Sequence, residues 1–365
     1  MGSEIPEHLE AKIWEKNIPF SSGIELTWRC NHKCIHCYQY PPSSHELSTQ
    51  EIKDILTQLA AAGCLFLQFT GGEPLLRPDF WNIADFTRKL SFAVILYTNG
   101  SLVTREVASR IKELRFVQVH ISLLGAFGQT HDKIVRVEGS YKKVIKAIEY
   151  LRSKDVNVML NTVLMKENFS EFKEIIRLAE SWGAEYRISP VITPANEGSK
   201  APLDLRISEA QLKEFYSFLF NIKKVDFGPY AEGDKEPLCG YGRKGGVISA
   251  SGDLYPCIGA PIVLGNLREK SFREIWETSV VLKKIRAAHL ENLKVCNTCS
   301  LSFSCIRCSG LALFEDGDLF GPSHECCRIT KIINEVIANS QLPSKVKKVF
   351  KRETVDSLES KIRAL

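Results

Sequence analysis

Three cysteines within a segment of nine residues constrain the fold of this 365-residue chain more than any other feature. They are Cys30, Cys34 and Cys37, with the spacing C-x3-C-x2-C, and Tyr38 follows the last of them. A closed tetrahedral zinc site takes four protein ligands, and an ordinary electron-transfer [4Fe–4S] cube is held by four cysteines. Three thiolates on such a cube would leave one iron without a protein ligand. The spacing therefore predicts a loop that holds a cluster whose open iron can bind and activate a small molecule.

The remaining cysteines also indicate metal binding. The chain has twelve cysteines and a polar, acidic N-terminus, so we expect neither a signal peptide nor a disulfide framework. Cys64 stands alone before a predicted strand and is expected to be a buried core thiol. The other eight lie in the C-terminal part of the chain: Cys239, Cys257, Cys296, Cys299, Cys305, Cys308, Cys326 and Cys327.

Composition excludes several other classes of protein. Hydrophobic residues make up 44% of the chain and charged residues 25%, as in ordinary globular proteins. The longest apolar runs, such as residues 258–264, are much shorter than the roughly 18 residues of a membrane-spanning helix. The net charge of +5 is modest and spread along the chain, so we expect neither nucleic acid nor a membrane as a partner.

Strand and helix patterns alternate from about residue 20 to residue 195. The predicted strands are 24–28, 65–69, 93–97, 116–123, 156–164 and 185–189. The predicted helices are 49–62, 80–89, 105–114, 141–153 and 170–182. This alternation predicts an α/β fold with a parallel sheet and right-handed crossovers.

Two short motifs follow the second and third predicted strands. The first is Gly71-Gly72-Glu73-Pro74, and the second contains Thr98 and Asn99. Glycine lets the main chain approach a ligand closely, and a carboxylate can pair with an ammonium group. We therefore expect a ligand with an amino group at this edge of the sheet.

The cysteine loop, the GGEP motif and the Thr-Asn-Gly segment together resemble the radical S-adenosylmethionine (radical SAM) superfamily. The resemblance implies a partial (β/α)6 TIM-like barrel, in which the amino and carboxylate groups of SAM chelate the open iron. An electron from the cluster then cleaves SAM to methionine and a 5′-deoxyadenosyl radical. Besides the metal ligands Cys30, Cys34 and Cys37, the positions expected to contact cluster or cofactor are His36, Tyr38, Gly71, Gly72, Glu73, Pro74, Thr98, Asn99, Ser122, Asn161 and Arg187. No catalytic residue is assigned.

Four nearby residues are interpreted differently. Leu124 departs from the Ser-Leu-Asp-Gly segment that is common among members of the superfamily, which weakens any acidic role at the fourth strand. His131 and Asp132 are expected to fix a loop, and Ser140 is expected to cap the helix that follows.

The C-terminal cysteines resemble the SPASM extension of radical SAM enzymes, which carries two auxiliary [4Fe–4S] clusters, so that three clusters are expected in all. By that resemblance Cys296, Cys299, Cys305 and Cys326 hold the distal auxiliary cluster. The proximal one has three clear ligands, namely Cys239, Cys257 and Cys308. Either Cys327, assumed to lie in a strand-like segment, completes that set, or the cluster has an open iron. Zinc ribbons are the alternative for these C-x2-C pairs.

The predicted domains are an N-terminal extension (1–19), a radical SAM barrel (20–195), a bridging helical segment (196–235), a SPASM domain (236–330) and a helical tail (331–365). A capping box formed by Ser208 and Gln211 is expected to open the bridging helix. The basic end of the tail is interpreted as a solvated helix, with docking of an acidic leader peptide as the alternative.

The resemblance implies an enzyme that abstracts a hydrogen atom, and a ribosomally made peptide is the first expectation for its substrate. Modification of a tetrapyrrole side chain, of the haem or haem d1 type, is the alternative, and a non-enzymatic zinc or iron–sulfur scaffold is the alternative of another class. The expected electron donor is a flavodoxin or ferredoxin. Only about twenty residues precede the first strand, so a peptide substrate is expected to require a separate leader-binding protein. Oxygen-sensitive clusters favour the cytoplasm.

Overall fold

The computed structural model describes residues 7–39, 45–221 and 239–339. These residues form two compact units. The first comprises residues up to 123, together with 127–160 and 240–286, and the second comprises 124–126, 161–239 and 287 onward. Parts of the predicted bridging segment and tail lie outside the described residues, and the predicted domain boundaries stay predictions.

Strands and helices alternate along most of the described chain up to about residue 200. The strands are β1 Ser21–Thr27, β2 Phe66–Gly71, β3 Ala93–Thr98, β4 Gln118–Ser122, β5 Val158–Val163, β6 Glu185–Ser189, β7 Val247–Ile248, β8 Asp253–Tyr255 and β9 Gly265–Asn266. The α-helices are α1 Glu7–Lys16, α2 Thr49–Ala61, α3 Phe80–Lys89, α4 Arg105–Glu113, α5 Gly128–Val135, α6 Ser140–Arg152, α7 Phe172–Ser181, α8 Glu209–Asn221, α9 Phe272–Thr278, α10 Val280–Ala287, α11 Ser309–Asp316 and α12 His324–Asn339. The six predicted strands and five predicted helices are confirmed, and the sequence analysis missed α5.

The strands follow the order β6-β5-β4-β3-β2-β1-β7-β8-β9. The pairs β1–β2, β2–β3 and β3–β4 are parallel, with Ile24 opposite Phe69 and Phe69 opposite Leu96. Parallel neighbours connected through helices are what the alternating pattern predicts, so the α/β class is confirmed.

The first four strands have one apolar and one polar face. Ile24, Phe69 and Leu96 are fully buried, and the Phe69 ring meets the Phe80 ring of α3 edge-on at 5.9 Å. Because side chains alternate along a strand, the intervening positions point to the other face. That face carries Glu25, Gln68, Tyr97 and His120, which gives the sheet a polar surface on the side opposite α3.

Three short strands extend the sheet beyond β1. β7 runs parallel to β1, and β8 and β9 continue antiparallel. Ser21 N donates to Lys244 O and Gly23 N to Gly246 O, both at 2.9 Å. A Cβ at Gly245 would lie 1.6 Å from Ser21 O, so only glycine permits this approach. The sequence analysis did not predict this extension.

In the second unit, α8 and α12 pack together around a buried ion network. Arg206 contacts Glu315 at 2.5 and 2.7 Å and Glu325 at 3.6 Å, and it also donates to Ile192 O. Ser208 and Gln211 form the predicted capping box before α8, with bonds of 2.9 and 3.2 Å. None of the helices in the described part of the chain is both long and apolar enough to cross a membrane.

Candidate functional site

The cysteine loop begins directly after β1. Cys30 and Cys37 are exposed, whereas Cys34 is half-buried. Burial raises the pKa of Cys34 to about 12, and the thiols of Cys37 and Cys30 act in the same direction. Cys37 N donates to Cys34 O at 3.1 Å, and His32 N donates to Cys30 Sγ at 3.4 Å. The three thiols therefore lie within electrostatic range of one another.

The GGEP segment lies against the main chain that leads into this loop. Gly72 N donates to Thr27 O at 2.7 Å, and Glu73 N donates to Arg29 O at 2.8 Å. A Cβ at Gly72 would meet Arg29 O at 2.3 Å, and one at Gly71 would meet Thr27 O at 2.4 Å. Both glycines are thus required by close contact with other main chain, whereas their predicted contact with a ligand stays a prediction.

Glu73 is fully buried, and its carboxylate organises the end of β3. It accepts hydrogen bonds from Leu75 N at 3.1 Å, Thr98 Oγ1 at 2.8 Å and Asn99 N at 2.7 Å. Burial raises the pKa of Glu73 to about 7, although the hydrogen bonds from Asn99, Thr98 and Leu75 oppose the rise. A cation beside this group would favour its ionised form.

The segment after β3 holds the cysteine loop in place. Asn99 Nδ2 donates to Asn31 Oδ1 at 2.8 Å and lies 3.9 Å from Cys30 Sγ. Asn31 Nδ2 in turn donates to Ser101 Oγ at 2.8 Å, and Ser101 donates to Asn99 Oδ1. The sequence analysis selected Asn99 but missed Asn31 and Ser101, which had no motif to mark them.

A second anchor joins the loop to α5 and α6. His32 is buried, and its Nε2 lies 3.2 Å from Ser140 Oγ, which is also 3.4 Å from His131 Nε2. Ser140 was expected to cap α6, and this prediction is wrong. The N-cap residue of α6 is Gly139. The Asp132 carboxylate accepts hydrogen bonds from Gly139 N and from Tyr141 N, which belongs to the second residue of the helix. Ser140 is the first helical residue and bonds to the two histidines instead.

The residues on either side of the third cysteine are half-buried, although Cys37 itself is exposed. Burial lowers the pKa of His36 to about 4 and raises the pKa of Tyr38, which Glu25 and Cys37 raise further. Glu25 is only 6% exposed and accepts a 2.9 Å hydrogen bond from Gln39 Nε2. The sequence analysis missed Glu25, because nothing in the local sequence separates it from other strand residues. Its burial on the polar face makes it a candidate substrate contact.

Three further predicted contacts are distributed over both units. Ser122 ends β4 and is half-buried in the first unit, whereas Asn161 on β5 and Arg187 on β6 belong to the second. Leu124 is buried, and its carbonyl accepts from Asn168 Nδ2 at 3.0 Å within the second unit. Cys64 is buried as predicted.

Six of the C-terminal cysteines belong to the second unit between residues 296 and 327, as does Cys239, while Cys257 belongs to the first. Cys326 and Cys327 lie on α12, so the expectation of a strand-like segment is wrong. Within the described ranges, no three His, Cys, Asp or Glu side chains are grouped so as to hold a single metal ion. A cube binds one thiolate per iron, so its ligands stand farther apart than those of one ion.

Comparisons with known proteins decide the family. The sequence profile of the radical SAM superfamily matches residues 24–179, and that of an iron–sulfur cluster-binding domain, SPASM, matches residues 239–300. The AdoMet-dependent heme synthase of Methanosarcina barkeri is 30% identical over 85% of this chain and 97% of its own. This chain belongs to the radical SAM superfamily.

Two more relatives define the architecture of this radical SAM enzyme. The mycofactocin maturase MftC of Mycobacterium tuberculosis is 29% identical over 89% of this chain and 87% of MftC. The crystal structure of Streptococcus suis SuiB bound to precursor peptide SuiA matches with a TM-score of 0.68 and 18% identity, over 87% of this chain and 78% of SuiB. The likeness shows the fold, and it confirms the predicted partial barrel with a C-terminal SPASM domain.

The site around β1 to β3 fits the groups that radical SAM enzymes bind, namely a [4Fe–4S] cluster and SAM. Three neighbouring thiols are available at Cys30, Cys34 and Cys37. Gly71 and Gly72 let the GGEP segment pack directly against the main chain that leads into the cysteine loop. The Glu73 carboxylate is fully buried at the end of β3, next to the segment that holds this loop. A cationic ligand that chelates iron matches this combination.

Proposed function

We propose that Cys30, Cys34 and Cys37 hold the SAM-binding cluster and that the enzyme modifies a ribosomally made peptide at an unactivated carbon. When bound, the cluster and SAM would supply a 5′-deoxyadenosyl radical, formed by one-electron cleavage of SAM, that can remove a hydrogen atom from the substrate. The observation that carries the proposal is the hydrogen-bonded network that ties Glu73 and Asn99 to the Cys30 loop.

Each side chain has a distinct part in this proposal. The main chain at Gly71, Gly72 and Pro74 borders the SAM amino group, and Glu73 supplies the negative potential that attracts it. Thr98 keeps Glu73 in place through its hydroxyl. Tyr38 and His36 are proposed to cover part of the cluster, since both are half-buried on either side of Cys37. Ser122, Asn161 and Arg187 are proposed as polar contacts for SAM or substrate.

Two auxiliary clusters complete the proposed set of three, on cysteines of the SPASM region. They would supply an acceptor for the electron released when the substrate radical is oxidised. A flavodoxin or ferredoxin is proposed as the electron donor to the first cluster, and the cytoplasm as the location because the clusters need a reducing environment. Anaerobic reconstitution should give about twelve irons per chain, as expected for three cubes.

A peptide substrate is supported by two of the relatives, a mycofactocin maturase and an enzyme crystallised with its precursor peptide. A separate leader-binding protein is proposed as a partner. A tetrapyrrole is the second candidate, because the heme synthase of M. barkeri is similar along 97% of its length.

Deuterium transfer separates the two substrates. The reduced enzyme is incubated with SAM and either a deuterated precursor peptide from its own genomic neighbourhood or a deuterated carboxylate-bearing iron tetrapyrrole. We expect deuterium in 5′-deoxyadenosine and a mass change of the peptide. Transfer from the tetrapyrrole alone would replace the peptide with the second candidate. Deoxyadenosine that stays unlabelled with both would reject both.

A further inference from the structure

Cys326 and Cys327 are adjacent on α12 but lie in different surroundings. Successive residues of an α-helix point about 100° apart, because a turn takes 3.6 residues. Cys326 is 1% exposed, whereas Cys327 is half-buried. The two thiols therefore differ both in direction and in exposure.

The segment that carries Cys305 is fixed along α12 by two hydrogen bonds. Ile306 N donates to Thr330 Oγ1 at 3.3 Å, and Asn334 Nδ2 donates to Ser304 Oγ at 2.8 Å. Cys327 is seven residues before Asn334, which is two helical turns and nearly the same direction. Thr330 points between the directions of Cys326 and Cys327, so it is the Asn334 contact that places Cys327 on the side of the helix along which this segment runs.

Cys327 has the thiols of the C-x2-C-x5-C run as its neighbours. Burial is the main cause that raises the pKa of Cys327, and the thiols of Cys296 and Cys299 raise this pKa further. Asp316 also raises it, whereas Lys331 lowers it. Burial raises the pKa of Cys305 to about 11, and Cys327 and Cys296 are the thiols that add to the rise. Each of the four thiols is therefore within electrostatic range of at least one other member of the set.

Cys326 has a different main partner. Burial raises the pKa of Cys326 to about 12, a hydrogen bond with the Ser323 side chain opposes the rise, and Cys308 is the first thiol that adds to it, before Cys305. The main chain of Cys308 also hydrogen-bonds to the Cys326 thiol. Cys326 therefore lies against Cys308 and contacts the C-x2-C-x5-C run only through Cys305.

We propose that Cys327, and not Cys326, is the fourth ligand of the cluster held by Cys296, Cys299 and Cys305, which leaves Cys326 beside Cys308. This exchanges the roles that the resemblance implied for the two residues. It rests on the proposed function, since it requires that auxiliary clusters are present. A cluster with four thiolates has no open iron for substrate, so its role is electron transfer.

Iron content tests the assignment in a full-length background whose three first-loop cysteines are replaced by alanine. This background should retain about eight irons in two cubes. Cys299→Ala and Cys327→Ala each leave this cube with three thiolates, so each should remove the same EPR signal of the four-thiolate cube from the reduced protein. The double variant leaves it with only two thiolates and should therefore keep about four irons, those of the other cube. Cys326→Ala should keep that EPR signal, and Cys64→Ala is the matched control for loss of a buried thiol.

Three results would overturn the assignment. In the first, Cys326→Ala loses the signal that Cys299→Ala loses and Cys327→Ala keeps it. In the second, the Cys299→Ala/Cys327→Ala double variant loses both clusters, which would place Cys327 on the other cube. In the third, the background binds almost no iron, which would also reject the auxiliary clusters of the proposed function. Circular dichroism checks that each variant folds, and Cys→Ser variants replace any that do not.

Discussion

Replacement of Gly72 by alanine tests the close contact between the GGEP motif and the cysteine loop. The added Cβ would lie 2.3 Å from Arg29 O and 2.7 Å from Trp28 O, whereas ordinary contact begins at 3.4 Å. The main chain at Gly72 must therefore move by about 1 Å, as expected for a close-packed contact that cannot be compressed. Main-chain oxygens form this contact, so no flexible side chain can yield instead.

The cost follows from the bonds that such a shift would break. Gly72 N donates to Thr27 O at 2.7 Å, and Glu73 N donates to Arg29 O at 2.8 Å. Each hydrogen bond contributes about 1 kcal/mol net, and overpacking adds at least about 1 kcal/mol, for a total of about 3 kcal/mol. We expect SAM to bind only when the GGEP segment has its wild-type position. The cost of restoring that position then corresponds to roughly a 100-fold loss of affinity for SAM.

The assay is anaerobic calorimetry of SAM binding to the reconstituted enzyme, followed by measurement of the rate of 5′-deoxyadenosine formation. Gly128→Ala is the matched control, because its Cβ would approach Tyr141 no closer than 3.4 Å. We expect the control to behave as wild type. Wild-type SAM affinity in Gly72→Ala would refute the reasoning about this contact.

Three further perturbations test other parts of the structure. The raised pKa of Glu73 lets the folded chain keep a proton that the unfolded chain has lost, so the stability of the wild type should fall by about 3 kcal/mol between about pH 4.5 and about pH 7. Glu73→Gln should lack this pH dependence when thermal unfolding of the iron-free protein is measured. Parallel stability curves for the two proteins would contradict the burial argument. Asn99→Ala removes the hydrogen bond to Asn31, so this variant should retain iron but cleave SAM about 5- to 10-fold more slowly than the wild type. Asn82→Ala, at an exposed position, is the control. Unchanged cleavage by Asn99→Ala would refute the anchoring role. Arg206→Ala leaves the buried Glu315 and Glu325 without this partner, so it should lower the free energy of unfolding by about 3 kcal/mol. Arg177→Ala removes a surface ion pair and should change the free energy of unfolding little. Equal effects of the two substitutions would contradict the buried network.

The repeating elements and the first site could be predicted because their signals are local. Alternating strand and helix patterns indicated the six strands, and the spacing of Cys30, Cys34 and Cys37 indicated the loop. Gly72 and Glu73 were selected as ligand contacts, which stay predictions. In the structure Gly72 packs against Arg29 O, and the Glu73 carboxylate accepts hydrogen bonds from the end of β3. Local sequence is sufficient wherever a motif follows directly from one strand.

Features that depend on distant residues were not predictable in the same way. β7 has two residues, too few to show periodicity, and it joins β1 only because Gly245 lacks a side chain. The cap of α6 comes from Asp132, seven residues before Gly139, so the usual rule for a neighbouring serine failed. Glu25 could be recognised only once the polar face of the sheet was known.

The expectation of a strand-like segment at Cys326 and Cys327 failed for a related reason. Adjacent cysteines were taken to point in opposite directions, as in a strand, but α12 extends from His324 to Asn339. On a helix the choice between them depends on which thiols lie opposite, and those belong to residues about thirty positions earlier in the chain. Spacing along the sequence does not contain this information.

Formation of 5′-deoxyadenosine tests the central claim most directly. The anaerobically reconstituted, reduced enzyme is incubated with SAM, and the nucleoside is measured by liquid chromatography for wild type, Cys34→Ala and the buried-thiol control Cys64→Ala. We expect wild type and Cys64→Ala to form 5′-deoxyadenosine and Cys34→Ala to form none above background, because its loop keeps only two cluster ligands. Cleavage of SAM by Cys34→Ala at the wild-type rate would contradict the assignment of this loop as the reactive site.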